Sequence, residues 1–294
     1  MSPNAFTSEQ FTPGLSSATP RAGEGQHHIS LNDGTRIPQF GLGVYKTPAD
    51  ETAEIVRYAA KAGYRMVDTA SFYGNESGVG DALQDYPELY AVTKLWASDL
   101  GYDNALRAFD ESARKLRRDV IDLYLIHWPM PKTGLAVESW KALIKLKNEG
   151  RVRSIGVCNF QPEHLTQLIE ATGVKPVLNQ IELHPAFQQK TLRAFNESLD
   201  IRTEAWSPLG RGTGLDGEII TSIAKKHGKT PGQVTIRWHL DQGNIVIPKS
   251  AKPERLNENI DVFDFTLDED DMRRIATLDR EDGRTGPDPD TASF

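Results

Sequence analysis

The chain has 294 residues and a formal net charge of −7 at pH 7, so it offers no basic stripe of the kind that binds nucleic acid. No apolar run is long enough to span a bilayer, so no membrane partner is expected. The single cysteine, Cys158, excludes an internal disulfide and a cysteine-rich metal cluster, which is typical of a reducing compartment such as the cytoplasm. No bound metal is expected.

The start of the chain differs in composition from the rest. Residues 1–26 are rich in Ser, Thr, Pro, Gly and Ala, and they lack the basic start and apolar middle of a signal peptide. We interpret them as a flexible N-terminal extension without a function of its own. Residues 27–294 show no sequence repeat and no clear linker, which favours a single domain.

Short β-rich runs recur along the remaining sequence. Two apolar stretches flank Asp33-Gly34 within residues 28–38, and this turn dipeptide predicts a hairpin. Eight further runs follow at intervals of about 24 to 43 residues, the size of a βα unit, and most are apolar throughout, as in strands buried on both faces. These runs are QFGLGVY (39–45), RMVDTA (65–70), LYAVTKL (89–95), DLYLIHW (122–128), RSIGVCN (153–159), VLNQIEL (177–183), RTEAWSP (202–208) and NIVIPKS (244–250).

Helix signals fill the intervals between these runs. A helix is predicted from Thr47 as N-cap, with Pro48 as its first residue, to Gly63. Another opens at Thr230-Pro231 and ends near Gly243, and a capping box of Thr266 and Glu269 opens a last helix that reaches Leu278. The repeated alternation predicts an α/β fold, a closed (β/α)8 TIM barrel whose bottom is capped by the N-terminal hairpin.

Four polar residues stand at or just past the ends of three neighbouring predicted strands. They are Asp68, Tyr73, Lys94 and His127, and such ends meet at the C-terminal mouth of a parallel barrel. A nearby ammonium lowers the pKa of a phenol, so Lys94, held by Asp68, could tune Tyr73, and His127 could orient a substrate oxygen. The set suits protonation of a carbonyl oxygen while an organic cofactor attacks the carbon, with hydride transfer as the natural candidate.

Each of these residues also has a purely structural interpretation. Asp68 could be a helix cap and Lys94 a salt-bridge partner, while Tyr73 could be a buried aromatic side chain and His127 a satisfied barrel histidine. The coincidence of all four at one end of the predicted barrel favours the functional interpretation. His184, by contrast, is expected to be structural.

Two later loops carry an anion-binding signal. Residues 207–214 read SPLGRGTG after the seventh run, so several backbone N–H groups can face phosphate oxygens. Lys249, Ser250 and Arg255, near the start of the next helix with Asn259, would suit a terminal phosphate monoester. Loops after the seventh and eighth strands are the usual phosphate site of such barrels, and the monoester favours NADPH over NADH.

The chain resembles the aldo-keto reductases, and most closely their bacterial 2,5-diketo-D-gluconate reductase branch. The matching segments occur in family order over nearly the whole chain after about residue 29. They are GLGVYK (41–46), DTASFYGNE (68–76), TKLW (93–96), LIHWP (125–129), IGVCNF (155–160), NQIELHP (179–185), WSPLG (206–210), IPKS (247–250) and RLNENIDVFDF (255–265).

The resemblance implies NADPH-dependent reduction of aldehydes, α-dicarbonyls or keto-sugars to alcohols, with Tyr73 as general acid supported by Asp68, Lys94 and His127. It implies a small-molecule carbonyl substrate, and we expect the protein to be a monomer. Substrate contacts are implied for Tyr45, Trp96 and Trp128. Coenzyme contacts are implied for Val44, Cys158, Asn159, Gln180, Trp206, Ser207, Leu209, Gly210, Gly212, Lys249, Ser250, Arg255 and Asn259.

The chain also departs from the family pattern. Cys158 stands where Ser is usual, which replaces a hydroxyl donor by a weak thiol donor, and Lys252 stands where a close relative has Arg. The segment between Gly80 and Leu89 is short, which would alter a helix or loop behind the site. The C-terminal tail, residues 283–294, is also short, and since this tail borders the substrate mouth in relatives, the substrate range is left open. The alternative function is an NADPH-binding barrel with a redox-sensing or structural role and little turnover.

Overall fold

Eight parallel strands form one curved sheet in the computed structural model, which describes residues 26–294. They pair with one another in the order in which they occur along the chain. Isolated parallel bridges join Phe40 to Val246 and Gly43 to Lys249, so the first and last strands meet and the barrel closes. The predicted (β/α)8 fold is therefore confirmed. The strands are β1 (His28–Ser30), β2 (Arg36–Pro38), β3 (Leu42–Gly43), β4 (Met66–Asp68), β5 (Tyr90–Leu95), β6 (Ile121–Ile126), β7 (Val152–Cys158), β8 (Leu178–Glu182), β9 (Arg202–Trp206) and β10 (Ile245–Val246).

Ten α-helices lie in the described chain, and those between the strands form the outer layer. They are α1 (Ala49–Ala62), α2 (Glu76–Asp85), α3 (Tyr102–Leu116), α4 (Ala136–Asn148), α5 (Pro162–Thr172), α6 (Lys190–Ser198), α7 (Glu218–His227), α8 (Pro231–Asp241), α9 (Pro253–Ile260) and α10 (Glu269–Ala276). Apolar side chains at helical spacing face the sheet, as Phe109 and Leu116 of α3 do. No described helix combines the length and apolar character needed to cross a bilayer.

The N-terminal hairpin closes the bottom of the barrel. Strands β1 and β2 pair antiparallel, and Asn32 in their turn donates hydrogen bonds to the carbonyl oxygens of Pro176 at 2.8 Å and Asp200 at 3.0 Å. Both acceptors lie just before strands, β8 and β9, so the hairpin sits at the N-terminal ends of the sheet. This agrees with the predicted cap. The predicted extension falls, apart from Gln26, outside the described residues.

Two helix starts differ from the sequence-based prediction. Helix α1 begins at Ala49, with Pro48 in the N-cap position rather than as the first helical residue. Helix α10 begins two residues later than the Thr266–Glu269 box would place it, because the Asp268 carboxylate accepts the backbone N–H of Asp271 at 2.9 Å and the two residues form the capping box. It also ends at Ala276, short of Leu278.

The short segment between Gly80 and Leu89 is the end of α2 and a tight turn into β5. A Cβ atom at Gly80 would lie 2.2 Å from the backbone oxygen of Lys115 in α3. Glycine therefore lets the two helices approach more closely than any side chain would permit.

Candidate active site

A cleft of about 280 Å³ opens at the C-terminal ends of the strands, where ligands bind in parallel barrels. Its floor is polar and its walls are aromatic, and eleven of the residues predicted to act on substrate or coenzyme lie in its lining. These are Tyr45, Asp68, Tyr73, Trp96, His127, Trp128, Asn159, Gln180, Trp206, Ser207 and Lys249.

A buried ion pair lies beneath the floor. Lys94 Nζ on β5 donates to Asp68 Oδ1 on β4 at 2.5 Å and to the carbonyl oxygen of Thr69 at 2.9 Å. Burial alone would lower the pKa of Lys94, but the Asp68 carboxylate outweighs it and raises that pKa above its ordinary value. The ammonium therefore stays charged although its side chain is wholly inaccessible to solvent.

The Tyr73 hydroxyl lies over this pair. Tyr73 ends a short 3-10 helix, Ser71–Tyr73, that directly follows β4, and Lys94 Nζ is 3.5 Å from its Oη. Burial raises the pKa of Tyr73 above its ordinary value, although the Lys94 ammonium lowers it. Lys94 thus lowers the pKa of Tyr73, as predicted from the sequence, but burial raises this pKa by more. The phenol keeps its proton at neutral pH.

His127 completes the set of four residues. It follows β6, and its backbone N–H donates to the carbonyl oxygen of Leu95 at 3.0 Å, which holds it beside the end of β5. Burial, and secondarily the charge of Lys94, lowers the pKa of His127 well below its ordinary value. A neutral imidazole carries one N–H donor, so His127 can offer a hydrogen bond to a ligand oxygen without adding charge to the cleft.

Asn159 and Trp206 are fixed to each other at the far side of the floor. Asn159 has left-handed backbone geometry, with φ of 63°, which asparagine tolerates better than most residues. Its Nδ2 donates to the carbonyl oxygen of His127 at 3.0 Å, and its Oδ1 accepts the Trp206 indole N–H at 2.8 Å. The indole is therefore held in place beside a side-chain amide.

A polar network continues beneath the floor. Gln180 Nε2 donates to Asp68 Oδ2 at 3.0 Å and to Glu204 Oε2 at 3.1 Å, and its Oε1 accepts the Cys158 thiol at 3.3 Å. Cys158 therefore turns into the barrel interior and does not line the cleft. Burial, together with the neighbouring Asp68 charge, raises the pKa of Glu204 to about 8, and sequence reasoning missed this buried acid.

The predicted phosphate-binding residues lie at the edge of the cleft or beyond it. Lys249 and Arg255 are exposed, whereas the Ser250 hydroxyl accepts the backbone N–H of Lys252 at 3.0 Å. An exposed ammonium and guanidinium fit the donor set that a phosphate monoester requires, and the amide and indole at the floor fit a nicotinamide. The other predicted residues outside the cleft lining are Val44, Lys94, Cys158, Leu209, Gly210, Gly212 and Asn259.

Sequence reasoning also missed part of the aromatic wall. Phe72 stacks on Trp96, with ring centroids 3.8 Å apart and planes 17° apart. The sequence feature that could have indicated Phe72 is its position next to Tyr73. Phe294 lies 5.0 Å from Trp96 and 5.2 Å from Trp128, measured between ring centroids. No local pattern marks Phe294, because only the fold brings it to the cleft. The other missed lining residues are Gly43, Pro208, Arg211, Ile247 and Pro287.

Comparison with known proteins identifies the family. The Aldo/keto reductase family model matches residues 38–280. The chain belongs to the aldo/keto reductase family. Methylglyoxal reductase DkgA of Escherichia coli K12 is 50% identical over 268 residues, covering 89% of this chain and 96% of DkgA. The predicted resemblance and the oxidoreductase class are thereby confirmed.

Two similar solved structures are complexes with a nicotinamide coenzyme. A mutant of Gox0644 in complex with NADPH is 61% identical, with a TM-score of 0.91, covering 92% of this chain and 100% of that chain. The Bombyx mori aldo-keto reductase in complex with NADP is 36% identical, with a TM-score of 0.81, covering 86% and 93% of the two chains. Both complexes agree with the predicted coenzyme.

Proposed function

We propose that this aldo/keto reductase uses NADPH to reduce small carbonyl compounds to alcohols, with Tyr73 as the proton donor. The observation that carries the proposal is the Tyr73 hydroxyl, which lies 3.5 Å from the buried Lys94 ammonium at the floor of the cleft. The Asp68 carboxylate, 2.5 Å from the same ammonium, keeps it charged. These groups can support the negative charge that appears on Tyr73 when it gives up its proton.

The four residues have distinct roles in this proposal. NADPH, when bound, would supply the hydride for reduction of the carbonyl carbon. Tyr73 gives its proton to the carbonyl oxygen, and the Lys94 charge favours the phenolate that remains. His127, neutral in the cleft, donates a hydrogen bond that aims the substrate oxygen at Tyr73. Asp68 positions Lys94, and Asn159 and Trp206 form the surface for the nicotinamide.

The proposed substrates are aldehydes, α-dicarbonyls and keto-sugars. The aromatic wall of Tyr45, Phe72, Trp96 and Trp128 suits a small apolar substituent, and the cleft volume of about 280 Å³ suits a compact molecule. The relative DkgA is a methylglyoxal reductase by name, so methylglyoxal is the first α-dicarbonyl to test. The chain is proposed to act as a monomeric, cytoplasmic single domain.

The test is NADPH oxidation in the presence of a panel of carbonyl compounds. Methylglyoxal, diacetyl, a keto-gluconate, an aldose and an aromatic aldehyde cover the proposed classes. We expect turnover of at least one of them at a kcat in the ordinary range of enzymes, on the order of 1 s⁻¹ or more. Tight NADPH binding without turnover of any member would instead favour the redox-sensing or structural alternative.

A further inference from the structure

The chain crosses the mouth of the cleft in residues 283–294, a segment that we call the strap. Pro287 and Phe294 of the strap line the cleft, and the Phe294 ring contacts the aromatic wall at Trp96 and Trp128. Gly283 and Pro289 of the strap are buried, whereas Thr285 between them is exposed. Polar contacts therefore fix the exposed stretch between two buried points.

Those contacts converge on one buried carboxylate. Glu182 is the last residue of β8 and is 1% exposed. Its Oε1 accepts the Thr285 backbone N–H at 2.8 Å and the Thr285 hydroxyl at 2.5 Å, and its Oε2 accepts the Gly286 N–H at 3.0 Å. His184 Nε2 lies 3.2 Å from Oε1. Burial would raise the pKa of Glu182, but these hydrogen bonds outweigh it and lower the pKa to about 2.

The same carboxylate fixes the strap against Trp206. Glu182 and Trp206 are partners in the register of β8 and β9. A Cβ atom at Gly286 would lie 2.5 Å from Cη2 of the Trp206 indole and 3.1 Å from Glu182 Oε2. The strap therefore rests directly on the edge of the indole, with glycine required by the close approach.

A second contact fixes the strap further along. Asp290 Oδ1 lies 3.4 Å from His164 Nε2 at the start of α5. Asp290 is largely exposed, so this pair contributes little on its own. The buried Glu182 carboxylate, with three hydrogen bonds from two consecutive residues, is the stronger anchor because charge-assisted hydrogen bonds are roughly twice as strong as neutral ones.

We propose that Glu182 is a positioning residue for substrate specificity, which anchors the strap so that Phe294 closes the cleft over an apolar substituent of the carbonyl substrate. This inference rests on the proposed reductase function. It assigns to Glu182 no contact with substrate or coenzyme. The carbonyl compounds that depend on Glu182 are those large enough to reach Phe294, such as α-dicarbonyls that bear an aromatic ring.

Phenylglyoxal and methylglyoxal form a matched pair for the test, because both are α-keto aldehydes and they differ in the phenyl group. Thr285→Val removes one hydroxyl from an exposed site, so the variant is expected to fold, and Thr285→Ser keeps the hydroxyl as its control. We expect Thr285→Val and Glu182→Gln to raise the KM for phenylglyoxal about fivefold or more. Both should leave kcat and the KM for methylglyoxal within about twofold, and Thr285→Ser should behave as wild type.

A double-mutant cycle with Phe294→Ala tests the connection directly. If Glu182 acts through Phe294, the double variant Glu182→Gln/Phe294→Ala should have the same phenylglyoxal KM as Phe294→Ala alone. Additive increases in KM, or equal increases for both substrates, would overturn the proposal. Wild-type turnover of methylglyoxal tests the proposed function separately.

Hydrogen exchange provides a measurement that needs no turnover. Backbone amides of the strap should exchange about tenfold or more faster in Thr285→Val and Glu182→Gln than in wild type or Thr285→Ser, while those of α10 stay unchanged. Unchanged exchange in the strap of both variants would show that Glu182 is not its anchor, whatever the enzyme's activity.

Discussion

At the residue scale, buried charge decides what each group in the site can do. Lys94 is kept charged by Asp68 in a place where burial alone would lower its pKa, and His127 is kept neutral by burial. Tyr73 is protonated at neutral pH, and burial raises its pKa further because it outweighs the nearby ammonium. One donor proton and one neutral donor therefore face the cleft, with one fixed positive charge buried beneath them, which is the combination that carbonyl protonation requires.

Glu204 provides a pH-dependent prediction at this scale. Its pKa is raised from the ordinary 4.5 to about 8, so between these values the unfolded chain has lost this proton while the folded chain keeps it. Stability must then fall as pH rises through this window, by up to about 1.4 kcal/mol per pH unit from this group. The Glu204→Gln variant lacks this titrating carboxyl group. The free energy of unfolding of the variant should therefore decline less than that of wild type between pH 5 and pH 8.

Chemical denaturation at several pH values measures this difference. Glu170→Gln, which changes an exposed glutamate on α5, is the matched control and should follow the wild-type pH dependence. A Glu204→Gln curve parallel to wild type across the window would mean that the Glu204 pKa is close to ordinary.

At the element scale, strand ends and helix starts place the functional groups. Asp68, Lys94 and His127 stand at the ends of β4, β5 and β6, which are neighbours in the sheet, and this part of the site could be predicted from apolar runs followed by polar residues. The helix caps could not be predicted as well. Thr266 and Asp268 both suit a cap by residue type, and only the geometry of the backbone distinguishes them.

The α10 cap gives a stability prediction. Asp268→Ala should lower the free energy of unfolding by about 1 kcal/mol, because the Asp271 N–H loses its acceptor. Thr266→Ala should change it by no more than about 0.5 kcal/mol. Thermal or urea unfolding of both variants measures the two effects. A larger loss of unfolding free energy in Thr266→Ala than in Asp268→Ala would show that Thr266 is the N-cap, as the sequence suggested.

Helix α9 provides a prediction about coenzyme choice. Arg255 is exposed in the first turn of α9, near the loop that carries Lys249. If it binds the 2′-phosphate, Arg255→Ala should weaken NADPH binding about tenfold or more and leave NADH binding nearly unchanged. Fluorescence titration with each coenzyme measures both constants.

Arg273→Ala is the control for this experiment, since Arg273 is an exposed arginine on α10 that pairs with Asp270. Its removal makes the net charge more negative by the same single unit without touching α9. If Arg255→Ala weakened the binding of NADPH and NADH equally, Arg255 would not select the phosphate. The same would follow if Arg273→Ala weakened NADPH binding as much as Arg255→Ala does.

At the scale of the whole molecule, the predictable features are those that repeat. The barrel, its hairpin and the four-residue set follow from eight alternating units and from the polar residues that end them. The missed features depend on contacts between distant parts of the chain. Phe294 meets Trp96 only after the strap has crossed the mouth, and Cys158 turns toward Gln180 rather than into the cleft. No local sequence pattern predicts such contacts.

The most direct test of the proposed mechanism is the rate of methylglyoxal-dependent NADPH oxidation by wild type and by Tyr73→Phe. Loss of the single hydroxyl should lower kcat by about 10²- to 10⁴-fold, while the dissociation constant for NADPH, measured by fluorescence, stays within about twofold. A Tyr73→Phe variant that keeps half of the wild-type kcat would show that the proton comes from another group.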